Sequence, residues 1–348
     1  MSTIDDHGGW PALLSALLDR NHLTASQAES AMTTILSGEA TPAQLIGFVV
    51  ALRAKGESSA ELAGLLDAVL AYATLVPLTD DLRERAVDIV GTGGDNSHSI
   101  NVSTMAAIVV AGAGVPVCKH GARGASSKCG TADVLEELGV AIEVSPEQVR
   151  HCIDTAGIGF CFAPAFHPAF RFAAPSRREI GIPTVFNLLG PMANPGRVRR
   201  QVIGVANAQF AERMIETLRT HGSVHAWVVH GGGLDELTTT GPSEVIELRD
   251  GEIDHFRVDP EALGLAPARP SQLTGGDRDV NADAVRRVLA GDRGPHRDIV
   301  VLNAAAGLVV GGRAENLAEG LELAERSIDT GAAESTLQRF VDASVAPL

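Results

Sequence analysis

The stretch Ala86-Val87-Asp88-Ile89-Val90-Gly91-Thr92-Gly93-Gly94-Asp95 decides the fold. Its first half is a short apolar run that stops at glycines, the pattern of a strand buried inside a parallel sheet. Its second half places three glycines where the chain turns toward a helix, and the uncovered backbone N–H groups of such a turn bind phosphate. Ser99-Ile100-Asn101-Val102-Ser103-Thr104 follows and opens an apolar helix from about Asn101 to Ala111. The glycine spacing is not the G-x-G-x-x-G of a dinucleotide fold, which argues against that reading.

Reading outward from this unit, the same alternation continues. A strand is expected at Val115 to Cys118, a helix at Thr131 to Leu138, a strand at Gln201 to Val205, a helix near Ala211 to Leu218 and a strand at Ala226 to His230. Asp250-Gly251, between Glu244 to Leu248 and Ile253 to Val258, signals a hairpin and an antiparallel excursion. Helices are expected at about Asp279 to Leu289, Asp298 to Val309 and Leu317 to Ser327. Upstream the grammar is purely helical: Thr24 with Gln27, Thr41 with Pro42 and Gln44, and Ser58 with Glu61 are capping signals, each before apolar residues at helical spacing. The fold class is therefore α/β, with a small N-terminal helical domain over residues 1–75 and a large α/β domain over residues 76–348.

Composition limits what such a fold can do. The 348 residues are 45% hydrophobic, enough for a sizeable core, and carry a formal net charge of -15. That charge excludes generic attraction to nucleic acid or an acidic membrane surface, so an anionic ligand must be held locally. Cys118, Cys129, Cys152 and Cys161 show no C-x-x-C spacing and read as buried thiols of a reducing compartment. The most apolar stretch, Met105 to Cys118, is interrupted by Gly112, Gly114 and Pro116 and is too short to span a bilayer. A cytoplasmic location is expected.

Three further constellations carry chemistry. Lys119-His120-Gly121-Ala122-Arg123-Gly124-Ala125-Ser126-Ser127-Lys128 follows the second strand, and its cations, glycines and hydroxyls suit an anion at the same end of the sheet. After the strand ending at His230, Gly231-Gly232-Gly233-Leu234-Asp235-Glu236 offers adjacent carboxylates, hard oxygen ligands of the kind Mg²⁺ takes beside phosphates. Arg177-Arg178, ahead of Pro183-Thr184-Val185-Phe186-Asn187-Leu188-Leu189-Gly190-Pro191, supplies a guanidinium fork for a carboxylate.

With these motifs in this order, the chain resembles the anthranilate phosphoribosyltransferase family over nearly its full length. The resemblance implies a nucleoside phosphorylase-like phosphoribosyltransferase fold, with residues from about 175–198 joining the helical domain, a hinge, a homodimer formed through the helical parts, and two Mg²⁺ ions. It further implies transfer of a phosphoribosyl group from phosphoribosyl pyrophosphate to anthranilate in tryptophan biosynthesis. Gly91, Gly94, Asp95, Ser99, Asn101, Val102, Ser103, Thr104, Lys119, His120, Gly121, Ala122, Arg123, Gly124, Ala125, Ser126, Ser127 and Thr131 would surround the donor. Ser103 and Glu236 would hold one ion, and Asp235 with Glu236 the other; Arg177, Gly91, His120 and Ala122 would face the acceptor. The family shows asparagine where this chain has Ala122, which raises the alternative of a different aromatic amine. A pyrimidine nucleoside phosphorylase and a non-catalytic nucleic-acid-binding relative are the more distant alternatives. No general base is identified.

Overall fold

The computed structural model describes residues 3–95, 97–124 and 128–348. Four helices come first: α1 (Gly9–Leu18), α2 (Ala25–Leu36), α3 (Pro42–Lys55) and α4 (Ser59–Ala71). The last three open on reciprocal capping boxes at Thr24/Gln27, Thr41/Gln44 and Ser58/Glu61, which satisfy N–H groups that the helix itself leaves unpaired. After the short α5 (Asp80–Arg85), β1 (Val87–Gly91), α6 (Val102–Gly112), β2 (Val117–Gly121), α7 (Thr131–Glu137), α8 (Pro146–Ala156) and β3 (Ile158–Phe162) alternate. The chain then leaves the sheet for α9 (Ala163–Phe166), α10 (Ala174–Ile180) and α11 (Val185–Met192). It returns through β4 (Arg200–Gly204), α12 (Ala211–Thr220), β5 (His225–His230) and the hairpin β6 (Ser243–Arg249) and β7 (Glu252–Val258). Four helices finish it: α13 (Arg278–Leu289), α14 (Pro295–Val310), α15 (Leu317–Asp329) and α16 (Ala332–Val345).

The strands form one sheet in the order β3-β2-β1-β4-β5-β6-β7, parallel as far as β5 and antiparallel beyond. Because β2 lies on one side of β1 and β4 on the other, the winding reverses at β1. The crevice outside the carboxyl end of such a reversal is where open α/β sheets receive ligands. The second strand begins two residues later than the sequence suggests. Gly114 takes φ +92° and Pro116 has no N–H to give, so pairing starts at Val117. Neither β3 with α8 nor α16 was anticipated from periodicity.

Both faces of the sheet are covered. Ile89, Val202, Trp227 and Val229 pack with α6 and α14 on one side; Ile203, Val205 and Val228 pack with α2 to α4, α11 and α12 on the other. The N-terminal helices thus share one apolar cluster with a face of the sheet. Helix α14 is buried along Ile299 to Val310, including the amide of Asn303, so it is a central helix rather than an amphipathic surface one. Among the described residues no helix is long and apolar enough to cross a membrane, and all four cysteines are buried and unbridged.

Within the helical unit α4 crosses α2 so closely that a Cβ on Gly64 would lie 1.9 Å from the Ala25 carbonyl oxygen. Alanine normally stabilises a helix interior over glycine by about 1 kcal/mol. Here the steric conflict is with backbone and outweighs that gain, so Gly64→Ala should destabilise the protein by about 1–3 kcal/mol. Urea unfolding of the variant measures it; equal or greater stability would show that the two helices separate freely.

Candidate active site

The carboxyl ends of β1 and β4 finish in glycine because an acidic turn rests on them. A Cβ on Gly91 would come within 2.3 Å of Asp235 Oδ2, and one on Gly204 within 1.6 Å of the Asp235 carbonyl oxygen. Gly93 (φ +66°) and Gly94 (φ +78°) take left-handed backbone, and the Gly93 N–H donates to Asp235 Oδ2 at 2.7 Å. The next residues of the turn are gripped from behind by Asn303 of α14: its Oδ1 accepts from the Leu237 N–H at 3.0 Å and its Nδ2 donates to the Leu237 carbonyl at 2.8 Å. The acidic pair is therefore fixed by two strands and a core helix.

Charge is poorly balanced in this corner. Burial, then repulsion from Asp95, pushes the Asp235 carboxyl up to about 7, against a lowering hydrogen bond from the Gly93 N–H. Burial and then Asp235 push Glu236 up to about 8, opposed by the Lys119 ammonium and by the Ser103 N–H, which donates to Glu236 Oε1 at 3.0 Å. Lys119 Nζ donates to Ser103 Oγ at 3.2 Å and to the Ile89 carbonyl. A hard divalent cation fits this donor set of carboxylate and hydroxyl oxygens, since it would offset negative charge that burial leaves uncompensated. The described residues include no cluster of three His, Cys, Asp or Glu side chains set to hold an ion by themselves; Mg²⁺ ordinarily completes its shell with water and phosphate oxygens.

Several of the residues that the sequence proposed for the donor lie at this end of the sheet. Asn101 stands at the N-cap position of α6, its Nδ2 on the Cys129 carbonyl at 3.2 Å and its Oδ1 on Asn281 Nδ2 at 2.8 Å. Ser103 and Thr104 follow in the first turn, with Thr104 Oγ1 3.3 Å from Thr131 Oγ1 at the start of α7. The side chain of Val102 is in the core, so only its backbone can face a ligand. Ser99 bridges to Thr274, and Gly121 closes β2. Ala122 is exposed, and its carbonyl accepts from the Ala132 N–H at 3.2 Å. The Gly124 N–H is bound to Asp133. Arg123 pairs with Asp133 at 3.0 Å and Glu136 at 2.8 Å and lies over Phe162. Ala125, Ser126 and Ser127 lie outside the described residues.

Arg177 caps a row of rings. Its guanidinium lies 4.7 Å from the Phe186 centroid; Phe186 meets Phe170 edge-on at 5.5 Å, Phe170 stacks on His167 at 5.2 Å, and His167 faces His120 at 5.1 Å. Burial alone lowers the Arg177 pKa, with no carboxylate opposing it. His120 Nδ1 contacts the Gly190 carbonyl at 3.1 Å and His167 Nε2 the Ala193 carbonyl at 2.9 Å, while the second nitrogen of each ring is buried without a partner. Burial holds both imidazoles neutral, His167 at about 4. The sequence reading named His120 and Arg177 but not His167, Phe170 or Phe186 as site residues. A compositional signal was present: in a chain with only ten phenylalanines, Phe160, Phe162, Phe166, Phe170 and Phe172 crowd into one stretch.

The comparisons with known proteins agree with this arrangement at two levels. Residues 11–73 match the helical bundle domain of a glycosyl transferase family and residues 83–334 match its a/b domain, so fold and site define a glycosyl transferase of that class. Anthranilate phosphoribosyltransferases from an Arthrobacter strain and from Saccharopolyspora erythraea are 51% and 50% identical, over 95% and 97% of this chain and 95% and 96% of their own. The solved enzyme from Thermus thermophilus superposes with a TM-score of 0.90 at 39% identity, covering 96% of this chain and 99% of that one. The Saccharomyces cerevisiae enzyme, solved in complex with PRPP and Mg, gives 0.87 at 30% identity, covering 96% and 97%. The chain belongs to the anthranilate phosphoribosyltransferase family.

The raised carboxyl pKa values have a consequence for stability. Between the unfolded carboxyl range near pH 4 and the folded values of Asp235 and Glu236, the folded protein holds more protons than the unfolded chain. Stability of the metal-free protein should therefore fall as pH rises from about 5 to 8, and Mg²⁺ should raise the unfolding temperature more at pH 8 than at pH 6. Calorimetry at both pH values checks this; an equal Mg²⁺ effect would refute it.

Proposed function

We infer that the chain transfers the phosphoribosyl group of phosphoribosyl pyrophosphate to the amine of anthranilate, releasing pyrophosphate, a reaction of tryptophan biosynthesis. The observation that carries this reading is the meeting of glycine loop, acidic pair and α6 N-terminus at one end of the sheet, beside an arginine-capped ring wall. The glycine turn at 91–95 and the first turn of α6 receive the diphosphate end of the donor. Ser103 and Glu236 would hold one Mg²⁺ and Asp235 with Glu236 a second, and these ions would supply charge neutralisation for the departing pyrophosphate.

The acceptor needs placement more than activation, because an aromatic amine is already unprotonated near neutral pH. Arg177 takes its carboxylate and the His120–His167–Phe170–Phe186 wall orients and shields its ring. Neutral His120 and His167 present lone pairs rather than charges on that wall, which avoids repelling Arg177. The helical unit moves against the sheet to close the site. Leu18 on α1 and Val50 on α3 expose apolar side chains, 75% and 39%, that suit a homodimer formed through the helical parts. Four buried, unbridged thiols suit a reducing cytoplasm.

A fluorescence assay should show anthranilate consumed only when phosphoribosyl pyrophosphate and Mg²⁺ are both present. Asp235→Ala and Glu236→Ala should each lower turnover by about 10²–10³-fold at saturating Mg²⁺; turnover close to the parent's would refute the metal assignment. On the acceptor side, Arg177→Lys should raise the KM for anthranilate by tenfold or more and leave that of the donor within about threefold. Ala122→Asn should tighten the acceptor by roughly threefold to tenfold. Equal shifts in both substrates would misplace the acceptor.

A further inference from the structure

Strand β1 is joined to its two neighbours differently. With β4 it keeps backbone register at every residue from Val87↔Arg200 to Gly91↔Gly204, whereas with β2 register is kept at Val87↔Val117 alone. Beyond that pair, side chains stand in for the missing ladder. The His120 N–H donates to Asp88 Oδ1 at 3.1 Å, and the Cys118 carbonyl accepts from Asn194 Nδ2 at 2.8 Å. The same Asn194 amide also donates to Asp88 Oδ2 at 2.8 Å. On the β1 side the Ile89 carbonyl is taken by Lys119 Nζ.

Every polar atom of Asn194 is used, since its Oδ1 accepts from the Gly196 N–H at 2.8 Å and faces Cys118 Sγ at 3.7 Å. The turn carrying it is pressed onto β2: a Cβ on Gly196 would sit 2.7 Å from Cys118 Sγ. Asp88 is fully buried and Asn194 2% exposed. Two strands able to pair directly would do so at lower cost than burying a carboxylate and an amide between them. What the insertion achieves is geometric: β2 ends away from β1, with Lys119 turned back toward Ser103 and His120 held against Gly190.

We propose that Asp88 and Asn194 form a positioning clasp that holds the carboxyl end of β2 apart from β1 and thereby sets Lys119 and His120 for the transfer reaction. Both residues are buried and act through the backbone of β2. The kinetic part of the proposal rests on the transfer reaction inferred above, while its structural part does not.

Asn194→Ala, and Asn194→Ser as a milder variant should the alanine protein fail to fold, remove the double donor, and Asn194→Asp replaces it with an acceptor. Asp88→Asn keeps an acceptor for His120 but sets amide against amide. Each folded single variant should lower kcat/KM by tenfold or more at a temperature where it is fully folded. The exchange Asp88→Asn with Asn194→Asp restores one donor–acceptor pair and should recover at least fivefold over the worse single variant, a coupling that independent structural damage does not produce. Hydrogen exchange, read without any substrate, should rise at least tenfold in the segment 117–121 while β4 and β5 stay protected. Folded single variants with kinetics within twofold of the parent, losses that simply multiply in the exchange variant, or unchanged exchange over 117–121 would each overturn the clasp. An inactive parent with exchange altered as described would sink the transfer reading and leave the clasp standing.

Discussion

Three carboxyl groups, those of Asp95, Asp235 and Glu236, share one corner of this molecule with a single buried ammonium, that of Lys119. Like charges so placed are costly, and the surrounding structure holds them there from several directions. Gly91 and Gly204 give up their side chains to seat the acidic turn, Asn303 anchors it to the central helix, and Ser103 ties Glu236 to the start of α6. In the proposed function a hard cation would complete this corner and would give a polyphosphate a place to bind in a protein of net charge -15.

The second half of the site is organised by the segment that follows α10 rather than by the sheet. Helix α11 and the turn after it contribute Phe186 to the ring wall, the Gly190 and Ala193 carbonyls to the two histidines, and Asn194 to the gap between β1 and β2. The same segment packs in the apolar cluster of α2 to α4, so the ring wall and the helical unit share one core. The acidic corner and the ring wall thus belong to different parts of the chain that meet at β2.

Much of this was legible from residue order. Capping boxes, the Asp250-Gly251 hairpin, the glycine turn after β1 and the paired acids after β5 are local signals, each settled by residues within a few positions of one another. Other contacts depend on distant packing and could not be read locally. Arg123 is also engaged by Asp133 and Glu136 of the following helix. Gly91 makes room for the Asp235 side chain, and the Gly93 N–H donates to it.

The sequence alone determined the helical start, the α/β alternation, the hairpin and the order of the glycine, basic and acidic motifs, because dihedral preference and capping depend on near neighbours. Tertiary structure decided which of those motifs meet. Gly93 reaches Asp235 across 142 residues, Ser103 reaches Glu236 across 133, and Asp88 reaches Asn194 across 106. Such contacts depend on strand order and on the faces that bury, and no short window of sequence carries that information.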